Sequence, residues 1–208
     1  METKTEITSN EENLELMCGE DDSFRLPLRR NGFDSDADLK KFIKNCEKLI
    51  RQSTEYREWK KYIIEVLGVA SCAITDEKNH EVTVDIHHHP ITLFTLVKAI
   101  TSAKIDKAEE FCTFDICQES IDLHFTNKVG FIPLVRSMHE KYHGGYLEIP
   151  IDLCTGEYSH IISNYPLEED ELTSIMALTT IQSADLQTGW KRDSYPGIKL
   201  VEPKDENN

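Results

Sequence analysis

Three consecutive histidines, His87, His88 and His89, close an alternating apolar stretch, "VTVDIHHHPIT", at residues 82–92. Two more, His139 and His143, stand four apart in "RSMHEKYHGG", residues 136–145. On a helix that spacing puts both imidazoles on one face, a turn apart, a geometry that suits two ligands on one metal ion. On a strand, neighbours point to opposite faces. His87 and His88 therefore divide between two surroundings unless the strand ends there, as Pro90 suggests. One imidazole can ligate an ion while its neighbour, neutral near its usual pKa of about 6.5, takes a proton. With three histidines, which of them faces which surroundings stays open.

The elements that must position these residues can be read from periodicity. "SDADLKKFIKNCEKLIRQ" predicts a helix capped by Ser35 or Asp36, with Leu39, Phe42, Ile43, Cys46, Leu49 and Ile50 at helical spacing. "STEYREWKKYIIEVLG" predicts a second, with Tyr56, Trp59, Ile63 and Val66 on one face and Gly68 as its stop. "VASCAIT" and "EVTVDIH" predict two strands joined as a hairpin by "DEKNH". "TLFTLVKAITSAK" predicts a helix that buries Leu93, Leu96, Val97 and Ile100. "KAEEFCTFDICQESIDLHF" predicts more helix, broken near Thr113. "VGFIP" is extended, "LVRSMHEKYH" is a helix ending at Gly144-Gly145, "YLEIPIDLCTGEYSHIIS" is a hairpin, and "LEEDELTSIMALTTIQ" is a last helix. The fold class is α+β: a ββα finger with inserted helices, flanked by an N-terminal helical pair and a C-terminal hairpin plus helix. Residues 1–35 read as a flexible acidic arm, 36–200 as one domain with its ββα core at 69–146, and 201–208 as a frayed tail.

This arrangement resembles the HNH, or His-Me finger, endonuclease family, closest to its phage and mobile-element branch. The matching residues are "CAIT", "IHHHPITL" and "GFIPLVRSMHEKYH", with a helical insert from about Ile91 to Val129. The resemblance implies hydrolysis of nucleic-acid phosphodiesters, with DNA the expected substrate. It implies one divalent ion (Mg, Mn or Zn) on His87, His139 and His143, with His88 as general base; in the alternative register His88 is the ligand and His89 the base. Such an ion holds the scissile phosphate and stabilises the departing oxygen. Asp85 would orient the base or join the ion. Where many members carry an asparagine, nine residues before His139, this chain has Gly130, and Asn127 is the nearest substitute. Lys128, Arg136 and Lys141 lie where a phosphate track would pass the ion.

Other readings of the same residues stand beside this one. "HEKYH" matches the HExxH motif of zincin proteases, with Glu168 or Glu169 as a further ligand, but leaves residues 87–89 without a role. "HHHP" matches the HxHP of JAMM-type metallopeptidases, but Lys98 and Thr101 replace the required serine and aspartate. A non-catalytic subunit or inhibitor, built on a nuclease-derived core with structural zinc, is the main alternative. The net charge of −15 favours it, because it repels DNA away from any local site.

The charge also makes the acidic arm a candidate surface for a protein partner; nothing fixes the oligomeric state. "FRLPLRRNGF", residues 24–33, and Trp190, Lys191 and Arg192 are weaker phosphate candidates. His80, His124 and His160 read as ordinary surface or capping residues. Six cysteines without a CxxC suit reduced thiols. No apolar run approaches the ~18 residues of a membrane span, and no leader is evident, so the expectation is a cytoplasmic protein, in the host if phage-encoded.

Overall fold

The computed structural model describes residues 33–78 and 83–180. The acidic arm up to residue 32, His80, Trp190, Lys191, Arg192 and the tail at 201–208 lie outside these residues.

Helix α1 (Asp36–Gln52) starts at Ser35, whose side chain accepts from the Asp38 amide, and buries Ile43, Cys46 and Ile50. It stops at Ser53, which in turn caps α2 (Thr54–Lys61) by accepting from the Tyr56 amide. Tyr56 and Trp59 go inward. The helix then loosens into a π turn, Tyr62–Val66, and ends at Gly68 with φ +69°. That loosening turns Val66 out to solvent, away from the buried face on which helical spacing places it. Leu49 is likewise exposed, at the edge of the α1 stripe.

Strand β1 (Val84–His88) leads to α3 (Leu93–Asp106), which is capped by Thr92 and buries the four expected residues Leu93, Leu96, Val97 and Ile100. Helix α4 (Thr113–Phe125) begins at the expected break, where the Asp115 carboxylate accepts from the Cys112 amide. Residues 107–111 are not helical, contrary to the longer helix expected from "KAEEF". Strand β2 (Phe131–Val135) runs antiparallel to β1, pairing Val84 with Val135 and His88 with Phe131. Pro133, which has no amide to donate, fits a sheet that has two strands among the described residues. Helix α5 (Arg136–His143) follows β2 directly and ends at the glycine pair.

The fold is α+β, and two expected hairpins are absent from the described residues. "VASCAIT" is not the partner of β1. Its Ser71 makes an isolated bridge to Lys78, and its Ala73 amide donates to the Pro133 carbonyl at 2.9 Å. The segment lies against β2 and delivers Cys72 and Ile74 to the core beneath α5. The fully buried "FIPLV" is the better partner for β1 because both its faces are covered. The C-terminal hairpin is replaced by a 3-10 turn, Ile151–Leu153, and a short helix α6 (Ser159–Asn164). Thr155 exchanges both backbone bonds with Phe131 instead. Gly156 brings its turn against the Val129 backbone, where a side chain would collide. Helix α7 (Glu169–Leu178) is tied to α3 through Lys98, which bridges Glu168 and Glu171 at 2.8 and 2.9 Å.

The sheet separates two cores. On one side Ile86 and Phe131 face α1–α4. On the other Ile132 and Leu134 meet Met138 of α5, together with Leu147 and Ile149, and Val84 and Val135 at the strand ends join the same cluster. β1, β2 and α5 thus form a ββα unit whose strands are split by α3 and α4.

Candidate metal centre

Because side chains alternate along β1, His87 faces α5 and His88 faces the helical layer. His87 sits beneath His139 and His143, with ring centroids 4.7 and 5.1 Å away. One ring nitrogen from each of the three lies within 4.8 Å of the others. His139 and His143 share a hydrogen bond between their Nε2 atoms at 2.9 Å. His87 is buried, His139 half-buried and His143 exposed. The buried Nε2 of His87 has no hydrogen-bond partner among the described residues. A buried imidazole nitrogen left in that state costs on the order of 1–3 kcal/mol.

The donor set fits a metal ion. Three imidazoles are a common transition-metal set, and around a tetrahedral ion their nitrogens stand about 3.3 Å apart. Reaching that spacing draws in nitrogens that stand up to 4.8 Å apart and parts the His139–His143 pair from 2.9 Å. Burial, reinforced by the two helix imidazoles, holds His87 down to about 3. Burial and His143 also lower His139. Both are therefore neutral at physiological pH, the form that ligates. The group meets solvent at the exposed His143.

Tyr142, absent from the sequence reading, wedges between the set and His89. Its ring centroid is 4.8 Å from His87 and 5.8 Å from His89. Tyrosine at the fourth place of "HEKYH" shares the inner side of α5 with Met138, which is the signal that could have found it. His89 is fully buried, with neither ring nitrogen in a hydrogen bond of ordinary geometry. Burial lowers it to about 4, against a smaller opposing effect of the Ile149 backbone.

His88 is not part of this group. It lies on the other side of the sheet, buried, with its Nε2 2.8 Å from Nε2 of His124. The His124 Nδ1 lies 2.6 Å from the Ser120 carbonyl, an acceptor only, so Nδ1 carries the proton. With His124 neutral, its Nε2 then accepts from the His88 Nε2–H. Tyr56 and Trp59 stack on His88 at 6.0 and 5.9 Å, and Trp59 meets His124 edge-on at 4.7 Å. Burial, then the neighbouring His124, pushes His88 well below its usual value. His124, expected as a surface or capping residue, is thus a core residue. Its signal was the stripe Ile116, Ser120, Ile121 and His124 at helical spacing.

The remaining expected residues disperse. Asp85 shares the His87 face but is held by Lys60 of α2. Asn127 turns back with φ +58° beside Gly156, with its carbonyl accepting from the Glu157 amide. At Gly130 a side chain would strike the His89 carbonyl, the Cys154 sulfur and Tyr158, so no asparagine fits there. Arg136 is paired with Glu140 at 2.9 Å, Lys128 is half-buried after α4, and Lys141 lies on α5 itself. His160 lies on α6, beside Asn164.

The chain is thus an α+β protein in which one strand and one helix of a ββα unit bring three imidazoles together. A family model described as Bacteriophage G278-like virion protein matches residues 1–195, and the chain belongs to that family. The phage origin expected from the resemblance agrees with the match; the endonuclease family itself receives no support from it. No curated protein and no solved structure matches the chain. Among the described residues no helix is long and apolar enough to cross a membrane.

Proposed function

We propose that this virion protein is a structural component of the phage particle, in which a transition-metal ion on His87, His139 and His143 locks α5 onto the sheet. The observation that carries this reading is the convergence of three ring nitrogens from strand and helix around a buried, unpartnered His87 Nε2. The all-imidazole set suits zinc better than magnesium or manganese, which favour oxygen ligands. Such an ion stabilises the folded chain because the unfolded chain offers no assembled site. Its partners are other proteins of the particle, consistent with the family and with a charge of −15.

The surroundings of His88 support a structural ion over a hydrolytic one. A general base must meet water and substrate beside the ion, whereas His88 is enclosed on the far side of the sheet and bonded to His124. His89 is fully buried. The exposure of His143 would let water reach an ion held there, which is the feature favouring the nuclease reading.

One experiment separates the two. The purified chain is assayed for bound metal, for melting temperature with zinc or magnesium, and for nicking of supercoiled DNA with Mg²⁺, Mn²⁺ or Zn²⁺. The structural reading expects about one zinc per chain, a rise in melting temperature with zinc alone, loss of both in His139→Ala, and intact DNA. DNA nicking that disappears in His87→Ala would replace it with the hydrolytic reading.

A further inference from the structure

Cys46 of α1 and Cys117 of α4 face each other where the two helices cross. The Cys117 thiol reaches the Cys46 carbonyl at 3.8 Å, and the two thiols also interact directly. Their exposure differs. Cys46 is fully buried, while Cys117 is half-buried and lines an open groove of about 700 Å³ with Leu49, Gln52, Phe114 and Gln118. A small oxidant entering the groove therefore meets Cys117 first, with Cys46 directly behind it.

We propose that Cys46 and Cys117 form a disulfide when the protein meets a peroxide, and that this bond staples α1 to α4. The inference stands apart from the metal reading, since the thiols lie in the helical layer and the imidazoles on the other side of the sheet. The Cys117 sulfur attacks one peroxide oxygen. The O–O bond breaks, the leaving hydroxide takes the Cys117 proton as water, and a sulfenic acid remains. The Cys46 sulfur then attacks the Cys117 sulfur. The S–S bond forms, the S–O bond breaks, and the departing hydroxide leaves with the Cys46 proton as a second water. Two thiols and one peroxide give one disulfide and two waters, and two electrons pass from sulfur to oxygen.

The chemistry of the two thiols fits this order. Contact with Cys117, followed by burial, raises the Cys46 thiol. Contact with Cys46 lowers Cys117, making the groove-lining sulfur the readier thiolate. Among the described cysteines, Cys117 acts on Cys46 most strongly. Cys112, at the start of α4, also lines the groove and reaches Cys46, but its effect on Cys46 is smaller than that of Cys117. Cys72 belongs to the core under α5, and Cys154 donates to the His89 carbonyl. A protein of a phage particle moves from reducing cytosol to oxidising surroundings, so the reduced pair suits assembly and the oxidised pair the released particle.

The test treats the full reduced chain with equimolar hydrogen peroxide, alkylates the remaining thiols and maps peptides by mass spectrometry. The expected result is a Cys46–Cys117 linked peptide and a melting temperature higher by roughly 5–10 °C, both reversed by dithiothreitol. Cys117→Ser removes both effects, with Cys117→Ala as the second variant if the serine destabilises the fold; Cys72→Ser keeps both. Sulfinic acid at Cys117 without a link, a Cys112–Cys117 link, or a Cys46–Cys117 link with no rise in melting temperature would overturn the proposal.

Discussion

The two sides of β1 treat adjacent histidines in opposite ways. On one side His88 is enclosed by Tyr56 and Trp59 and bonded to His124, which is anchored in turn on Ser120. On the other, His87 keeps a bare buried nitrogen under two helix imidazoles, and the group opens to solvent at His143. Residue type is the same and sequence distance is one, so the difference comes wholly from what packs against each face. A closed, internally bonded pair contributes to folding without help. An open, unsatisfied group contributes only when something else fills it.

The largest expected contrast comes from removing one member of the closed pair. His124→Ala should cost ~3–4 kcal/mol, because it leaves a cavity under Trp59 and strips the acceptor from the buried His88. Urea denaturation with a chelator present measures it. A loss below ~1 kcal/mol would show that the pair does not support the core.

Acid should attack the same face. Burial holds His124 down to about 4, against about 6.5 in the unfolded chain. The folded state therefore favours neutral His124, and its contribution is present above about pH 6.5. It is lost as pH falls from there towards 4, ~3 kcal/mol in all. Denaturant midpoints across that range should fall more shallowly in His124→Gln than in the parent.

The open face should answer to metal instead. Without metal, His139→Ala and His143→Ala should unfold within ~1 kcal/mol of the parent. With zinc at a hundred times its dissociation constant, the parent should gain ~2.7 kcal/mol and each variant far less. Equal gains in parent and variants would place the ion elsewhere. The smallest effect belongs to the rim: Asp85→Asn breaks a partly exposed pair with Lys60 and should change stability by under ~1 kcal/mol. A larger loss would make this pair part of the support for the imidazole group.

The imidazole group was legible in the sequence because it rests on two local periods. His139 and His143 follow from helical spacing, and His87 follows from alternation before Pro90. Helices α1 to α4 were legible for the same reason, since Ile43, Trp59, Leu96 and Ile116 mark buried faces by spacing alone. Strand partnership was not. "VASCAIT" and "FIPLV" both satisfy the pattern of a neighbour to β1, and the choice depends on which has both faces covered in three dimensions. His124 was missed because its partner His88 lies far along the chain and on another element. The C-terminal hairpin failed where Pro150 and Gly156 turned the chain onto Phe131 and Val129, contacts that alternation does not encode.

The separation of β1 from β2 by α3 and α4 has a kinetic consequence. Closing the sheet joins residues distant in sequence, and such contacts form late because the intervening chain must first lose its freedom. The local helices of the insert can form earlier and bring the strand ends together. A nascent chain would then hold a partly built helical layer before α5 has anything to dock against, so slow refolding should be most sensitive to changes inside α3 and α4.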